Sequence, residues 1–382
     1  MALNGAWGEV RPGDTPQSVL EAYRAGHLKS FDPSMLQQFP RSELGSWVVI
    51  AAQPPWDDEE RVLTIYPPPL GAISVNNGGR ADVLAINDFS AAIHGHGRLA
   101  WRMPSTQPAS TPILLRLEPG EAMAAPMRFG ILPWNEYLQQ DAQWLVFASA
   151  SFAVMLAMVL MALFFSLVLR DVTYAWYGGY IVCYALIQGI QTGFVFHPLE
   201  WQWMADRIWL VGSAAVALSV AFASLFMMRF CNLQEHARLL RVPIMALAVG
   251  MIQLVLMRCS GIPLLIEVAQ DLLNPLLMIG AVLLLVAAIV AAARGSRQAW
   301  FFLAGWTPLL LLTASTSAQV NGALPRLDWL NDASLAGGAF EAVVLSLGLA
   351  DRALRLRQDR DVVQVLADHD PLTHALNRRA WT

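Results

Sequence analysis

Charge is scarce in this chain of 382 residues: Asp, Glu, Lys and Arg make up 14% of it, against about 25% in soluble domains. Lysine is almost missing, with Lys29 alone, so arginine carries the positive charge. The net charge of −4 is too small to point to nucleic acid as a partner. Cysteine is rare too. Cys183, Cys231 and Cys259 all fall in or beside apolar segments, where small apolar filling is the expected role. The first 135 residues hold none, so no disulfide framework is available there. Also missing is a secretory signal, since Met1-Ala2-Leu3-Asn4-Gly5-Ala6-Trp7 has neither a basic start nor an apolar core.

What the chain has is apolar length. Segments at about 143–169, 174–196, 207–229, 242–259, 271–293, 299–319 and 335–351 are uncharged or nearly so. A helix needs roughly 20 apolar residues to cross a hydrocarbon core of about 30 Å, and in lipid its backbone must satisfy its own hydrogen bonds. The fourth and seventh segments are short for that task. One such helix is ordinary in a soluble core, but seven in series predict a seven-helix membrane domain over 143–351.

The arginines orient it. Arg170, then Arg229, Arg238 and Arg241, then Arg294 and Arg297, then Arg352, Arg355 and Arg357 lie at alternate ends of the spans. The opposite loops carry Glu200, Asp206, Glu267, Asp271, Asp328 and Asp332. The positive-inside bias places the N-terminus outside and the C-terminus in the cytoplasm. Trp144, Trp201, Trp203, Trp300 and Trp329 stand near span ends, as interface anchors do. With about 140 residues to export ahead of the first span, a cleaved signal is expected before Met1.

Residues 1–135 read as a soluble, mainly β domain. One helix is signalled by Thr15 as N-cap, Pro16 and a closing Gly26. Short β-rich runs follow at Trp47–Ala52, Arg61–Tyr66, Asp82–Ile86, Gly97–Met103, Pro112–Leu117 and Ala122–Ile131. Turn chemistry separates them, as at Pro67-Pro68-Pro69 and Asn76-Asn77-Gly78-Gly79. Many short strands at even spacing predict an antiparallel sandwich such as a jelly roll.

Past the last span, Leu349, Ala353, Leu356, Arg360, Val363 and Ala367 step by four and three. That is the seam of a parallel coiled coil over 349–369, interrupted by one polar residue at Arg360. A single amphipathic helix on the membrane surface is the plainer alternative.

Asp370-Pro371-Leu372-Thr373-His374-Ala375-Leu376-Asn377-Arg378-Arg379 follows directly. It resembles the D-x-L-T-x-x-x-N-R-R opening of GGDEF domains, with His374 where the family has glycine. The matching positions are Asp370, Leu372, Thr373, Asn377, Arg378 and Arg379. The resemblance implies a diguanylate cyclase output domain beginning at 370–382, with GTP and Mg as its ligands and cyclic di-GMP as its product. Its GG[DE]EF loop and acidic metal ligands would lie beyond Thr382, so no catalytic residue and no cofactor is expected within 1–382.

The last span, Gly337-Gly338-Ala339-Phe340-Glu341 through Ser346-Leu347-Gly348-Leu349-Ala350-Asp351-Arg352, is similar to that of the bacterial seven-transmembrane receptors with diverse intracellular signalling modules (7TMR-DISM). In that family a periplasmic jelly roll similar to carbohydrate-binding modules precedes seven spans. Gly45-Ser46-Trp47-Val48 is similar to its strand start.

Glu341 is the one acidic residue well inside a span, and a carboxylate there is a functional-site hypothesis by default. Gln188, Gln191 and Gln319 are the expected polar partners. Trp56 and Trp101 are candidate ligand-facing aromatics of the β domain. His94-Gly95-His96 has the spacing of two metal ligands but no third, and reads as a solvated loop. Asn274-Pro275 and Thr307-Pro308 would kink the fifth and sixth spans. The expectation is a bacterial inner-membrane receptor, homodimeric, sensing a small molecule, a carbohydrate-like ligand or a protein partner in the periplasm. Its rivals are a transporter or channel with a solute-binding β domain, or a receptor whose GGDEF output is inactive.

Overall fold

The computed structural model describes residues 2–39, 42–53, 60–69, 71–77, 80–90, 93–103, 111–118, 126–320 and 329–368; at 2, 53, 77, 80, 316–320, 331, 356 and 359–368 only the backbone is described. Among the described residues nine strands, β1 (Ala2–Glu9), β2 (Lys29–Phe31), β3 (Ser46–Gln53), β4 (Arg61–Tyr66), β5 (Ile73–Asn77), β6 (Arg80–Leu84), β7 (Leu99–Arg102), β8 (Ile113–Leu117) and β9 (Arg128–Pro133), occupy the first third of the chain. They form a six-stranded sheet ordered β2-β1-β3-β8-β5-β6 and a three-stranded sheet ordered β7-β4-β9. Every pairing is antiparallel.

The alternation of each strand decides what lies between the sheets. Val48 and Ile50 of β3, Val75 of β5 and Leu115 of β8 share one buried cluster with Leu63 and Ile65 of β4, Trp101 of β7 and Phe129 of β9. The opposite face of β3 buries Trp47 and Val49 beneath Val19. Val19 belongs to α1 (Pro16–Arg24), whose capping box joins Thr15 to Ser18. The expected strands are present as a six-plus-three sandwich. β1, β2 and β5 were not expected: Gly5 and Gly8 dilute the apolar signal of β1, β2 is three residues long, and β5 ends in Asn76-Asn77, which reads as turn but pairs with Ala81 and Arg80 of β6.

Helices dominate the described residues that follow. They are α2 (Trp134–Leu169), α3 (Val172–Thr192), α4 (Ile208–Phe230), α5 (Leu233–His236), α6 (Arg238–Cys259), α7 (Pro263–Ala293), α8 (Arg297–Val320) and α9 (Leu330–Asp368). Among the described residues five are long and apolar enough to cross a membrane: α2, α4 with the 3-10 turn before it, α6, α7 and α9. The fourth and seventh segments are not short after all. α6 starts at Arg238, taking in Pro243 near its start, and α9 runs for 39 residues. α7 and α8 continue through Pro275 and Pro308.

The chain divides into two compact units. The first comprises 1–153, 184–215 and 311–336; the second comprises 154–183, 216–310 and 337–382. In the first unit the sandwich does not stand apart from the helical segments. Ile190, Val195, Phe196, Met204 and Ile208 enter the same apolar cluster as the sheets. Gly193, at φ 78°, turns the chain out of α3, and a Cβ there would lie 2.7 Å from Ile86. Only glycine suits both demands.

Candidate functional site: the contacts of the last helix

α9 is where the polar groups of the helical region converge. At its start, the Asp332 carboxylate accepts from the Tyr66 hydroxyl of β4 at 2.9 Å and from the Trp144 indole of α2 at 3.2 Å. A carboxylate in the first turn of a helix also suits the dipole. Tyr66 is held from its other face by Arg128 of β9, whose guanidinium lies 4.8 Å from the ring centroid. Two residues on, the Ser334 carbonyl accepts from Tyr184 at 2.8 Å, and the Ser334 hydroxyl meets Gln188 at 3.4 Å. Trp144, expected as a lipid-interface anchor, is instead buried on this carboxylate. A lone tryptophan near a span end carries no sign of which it will be.

Deeper along α9, tyrosines of α3 continue the series. Tyr177 donates to the Ala342 carbonyl, and Tyr174 to the Leu349 carbonyl at 3.0 Å. Tyr174, Tyr177, Tyr180 and Tyr184 fall at helical spacing, so one face of α3 presents hydroxyls to α9. A run of tyrosines three and four apart was the signal that could have found this face.

Between them lies Glu341, fully buried. Its Oε1 accepts from the Tyr180 hydroxyl at 2.7 Å, and that hydroxyl accepts from the Trp306 indole of α8 at 3.3 Å. Oε2 has no hydrogen-bond partner among the described residues. This corrects the expected pairing with glutamine. Gln188 bonds Tyr184 and Ser334, Gln191 is exposed, and the side chain of Gln319 lies outside the described residues. Tyrosine supplies the donor, because its hydroxyl lies far out on a rigid ring and its body packs as apolar surface.

At the far end of the apolar stretch, charge takes over. Arg352 pairs with Asp171 at 3.2 Å and donates to the Arg229 carbonyl at 2.7 Å. Asp351 pairs with Arg297 at 3.2 Å and with Arg355 at 3.3 Å.

The remaining candidates divide sharply. Trp101 is core, its indole donating to Asp82 at 3.1 Å, and is not a ligand-facing surface. Trp56 lies outside the described residues. His94 and His96 are not a solvated loop: His96 bonds Asp141 through both its backbone N–H and its ring at 2.6 Å, while His94 stacks on His197 at 3.7 Å. Leu349, the first seam position, is buried within the chain's own bundle. A seam for a second copy must start after it, at Ala353. The side chains of Leu356, Arg360, Val363 and Ala367, and all of Asp370, Leu372, Thr373, Asn377, Arg378 and Arg379, lie outside the described residues.

A β sandwich followed by five helices long and apolar enough to cross a membrane marks an integral membrane protein. A family model described as 7TM diverse intracellular signalling matches residues 144–352, more than half of the chain. The protein belongs to that family. No curated relative matches it.

Proposed function

We propose that this protein is a seven-span receptor of the bacterial inner membrane. Its β domain reads a periplasmic ligand or partner, and α9 carries the change to a cytoplasmic diguanylate cyclase domain. The observation that carries the reading is the bond from Tyr66 of the sandwich to Asp332 of α9. A rearrangement of β4 or its neighbours acts directly on the start of a helix that continues unbroken to Asp368. At 1.5 Å per residue its 39 residues span about 58 Å, more than the hydrocarbon core. The family match supports the signalling role. The arginine distribution supports N-out topology, and the family model, described as 7TM, supports seven spans where five described helices are long and apolar enough to cross. A cyclase that works as a pair of GTP- and Mg-loaded domains takes dimer geometry as its control variable, so the receptor is proposed to act as a homodimer.

A transporter would need several polar groups converging in mid-membrane. Among the described residues Glu341 receives one hydroxyl, with one indole behind it. That suits a fixed helix contact better than a solute path.

Topology is tested by alkaline phosphatase fusions, active after Gly130 and inactive after Arg352; the reverse pattern would falsify the receptor reading. Coupling is tested by Tyr66→Phe and Asp332→Asn. In the chain extended through its output domain, both should change cyclic di-GMP output while the protein still reaches the membrane. Unchanged output in both would mean that the Asp332 contact carries no signal.

A further inference from the structure

The second unit holds a cavity of about 380 Å3 at the α2–α3 turn, at the lower end of the range of about 300–1,000 Å3 typical of ligand sites. Arg170, Arg229 and Arg357 line it with a single carboxylate, Asp171. That carboxylate is already engaged. It accepts from the Thr173 N–H at 2.9 Å and hydroxyl at 2.7 Å and pairs with Arg352. Burial alone would raise its pKa, but these bonds, with Arg352 and Arg229 beside it, hold it below the usual carboxylate value.

The arginines are free for another anion. Arg170 and Arg357 have no carboxylate within ion-pair distance among the described residues. Arg229 is steadied over the Trp176 ring at 5.0 Å. Arg170 follows the last residue of α2 and holds φ at 51°, the left-handed conformation in which many helices end.

We infer that this cavity binds a phosphate-bearing anion, supplied by an acidic phospholipid headgroup of the membrane in which the helices sit. Guanidinium groups meet phosphate through paired N–H···O bonds, and basic pockets between transmembrane helices hold lipid headgroups. Leu169, Val172 and Ala353 complete the lining with apolar surface suited to a glycerol backbone. The bound phosphate would cancel the repulsion among three like charges and join the stem of α9, at Arg357, to the α2–α3 turn and the end of α4. Occupancy would therefore restrain the same helix that carries the signal. The inference rests on the proposed topology only for the leaflet, which is then the cytoplasmic one.

The test is native mass spectrometry of the full chain in detergent, titrated with phosphatidylglycerol or phosphatidylcholine. Arg170→Asn removes a charge while placing at the left-handed position a residue that tolerates it, so lost binding there is not lost folding. Arg357→Gln changes an exposed side chain of a helix. Arg238→Gln removes an exposed arginine outside the cavity. Phosphatidylglycerol should be retained over phosphatidylcholine by the wild-type chain, and each cavity variant should lose roughly tenfold in retention, the scale of one charge-assisted hydrogen bond. Arg238→Gln should lose none. Glycerol phosphate that binds with the same arginine dependence, and phosphatidylglycerol that does not, would keep the phosphate site and make its source soluble. No preference for either phosphate, or an equal loss in Arg238→Gln, overturns the inference. The fusion reporters test topology separately, so a failed topology reassigns the leaflet and leaves this result standing.

Discussion

At the scale of single residues, the buried carboxyl of Glu341 and the tyrosines of α3 make distinguishable predictions. Tyr180→Phe removes the one donor to Glu341 among the described residues, and an unsatisfied buried polar group costs about 1–3 kcal/mol. Tyr177→Phe removes a bond to a helix carbonyl and should cost less, about 0.5–1.5 kcal/mol. Thermal unfolding in detergent should order the two that way; a larger loss for Tyr177→Phe would mean that the bond to the Ala342 carbonyl, rather than the Glu341 bond, holds α3 to α9. His197 gives a pH prediction in the first unit. Burial is the main cause that lowers its pKa; His94 and His96 act the same way, against the Asp88 carbonyl and Glu200. A histidine depressed in the folded state binds protons more readily unfolded, so stability falls as pH drops through about 6.5. His96 paired to Asp141 lies close by. Melting temperature should fall between pH 7.5 and 5.5, and His197→Phe should flatten that fall. A slope unaffected by the substitution would assign the acid sensitivity to other groups.

Elements obey a coarser logic, and it decides how much of the molecule could be read in advance. Apolar length made the helical segments plain, because backbone in lipid leaves no other choice. Strand alternation likewise revealed β3, β4 and β8. β1 escaped because its glycines serve close packing: a Cβ at Gly5 would lie 2.6 Å from Phe31. The partner of Glu341 was illegible for another reason. Polar partners in a bundle are set by which helix faces meet, and a tyrosine reads as apolar until its hydroxyl has an acceptor in space. Trp144 was misplaced on the same account. Gly348 tests the packing of α9. A Cβ there would lie 2.7 Å from Phe230 and 2.9 Å from Phe301, so Gly348→Ala overpacks the contact at about 1–3 kcal/mol. The expected result is a lowered melting temperature with membrane insertion intact. Unchanged stability would show that the two phenylalanines can give way.

For the whole molecule the question is what α9 delivers beyond Arg352. Asp332 ties one end to the sandwich, and Asp351 and Arg352 pair with Arg297 and Asp171 near the other. No interior proline interrupts the helix from Leu330 to Asp368, so in the proposed receptor rotation at one end would reach the other. Because Leu349 is spent inside the bundle, any pairing seam uses Ala353, Leu356, Val363 and Ala367, with Arg360 as its polar member. Seven residues inserted after Gln358 preserve the facing of whatever follows, since the hydrophobic repeat returns after one heptad. Four residues turn it by about half a repeat. In the chain extended through a complete output domain, the heptad insertion should keep regulated cyclic di-GMP synthesis. The four-residue insertion should lock it on or off, and Arg360→Leu should tighten association and blunt the response, as loss of a polar seam residue does. Equal output for both insertion lengths would make the stem a flexible tether. The ion pairs at Asp351 and Arg352 would then limit motion of α9, and the signal would have to travel as a change in the distance between output domains.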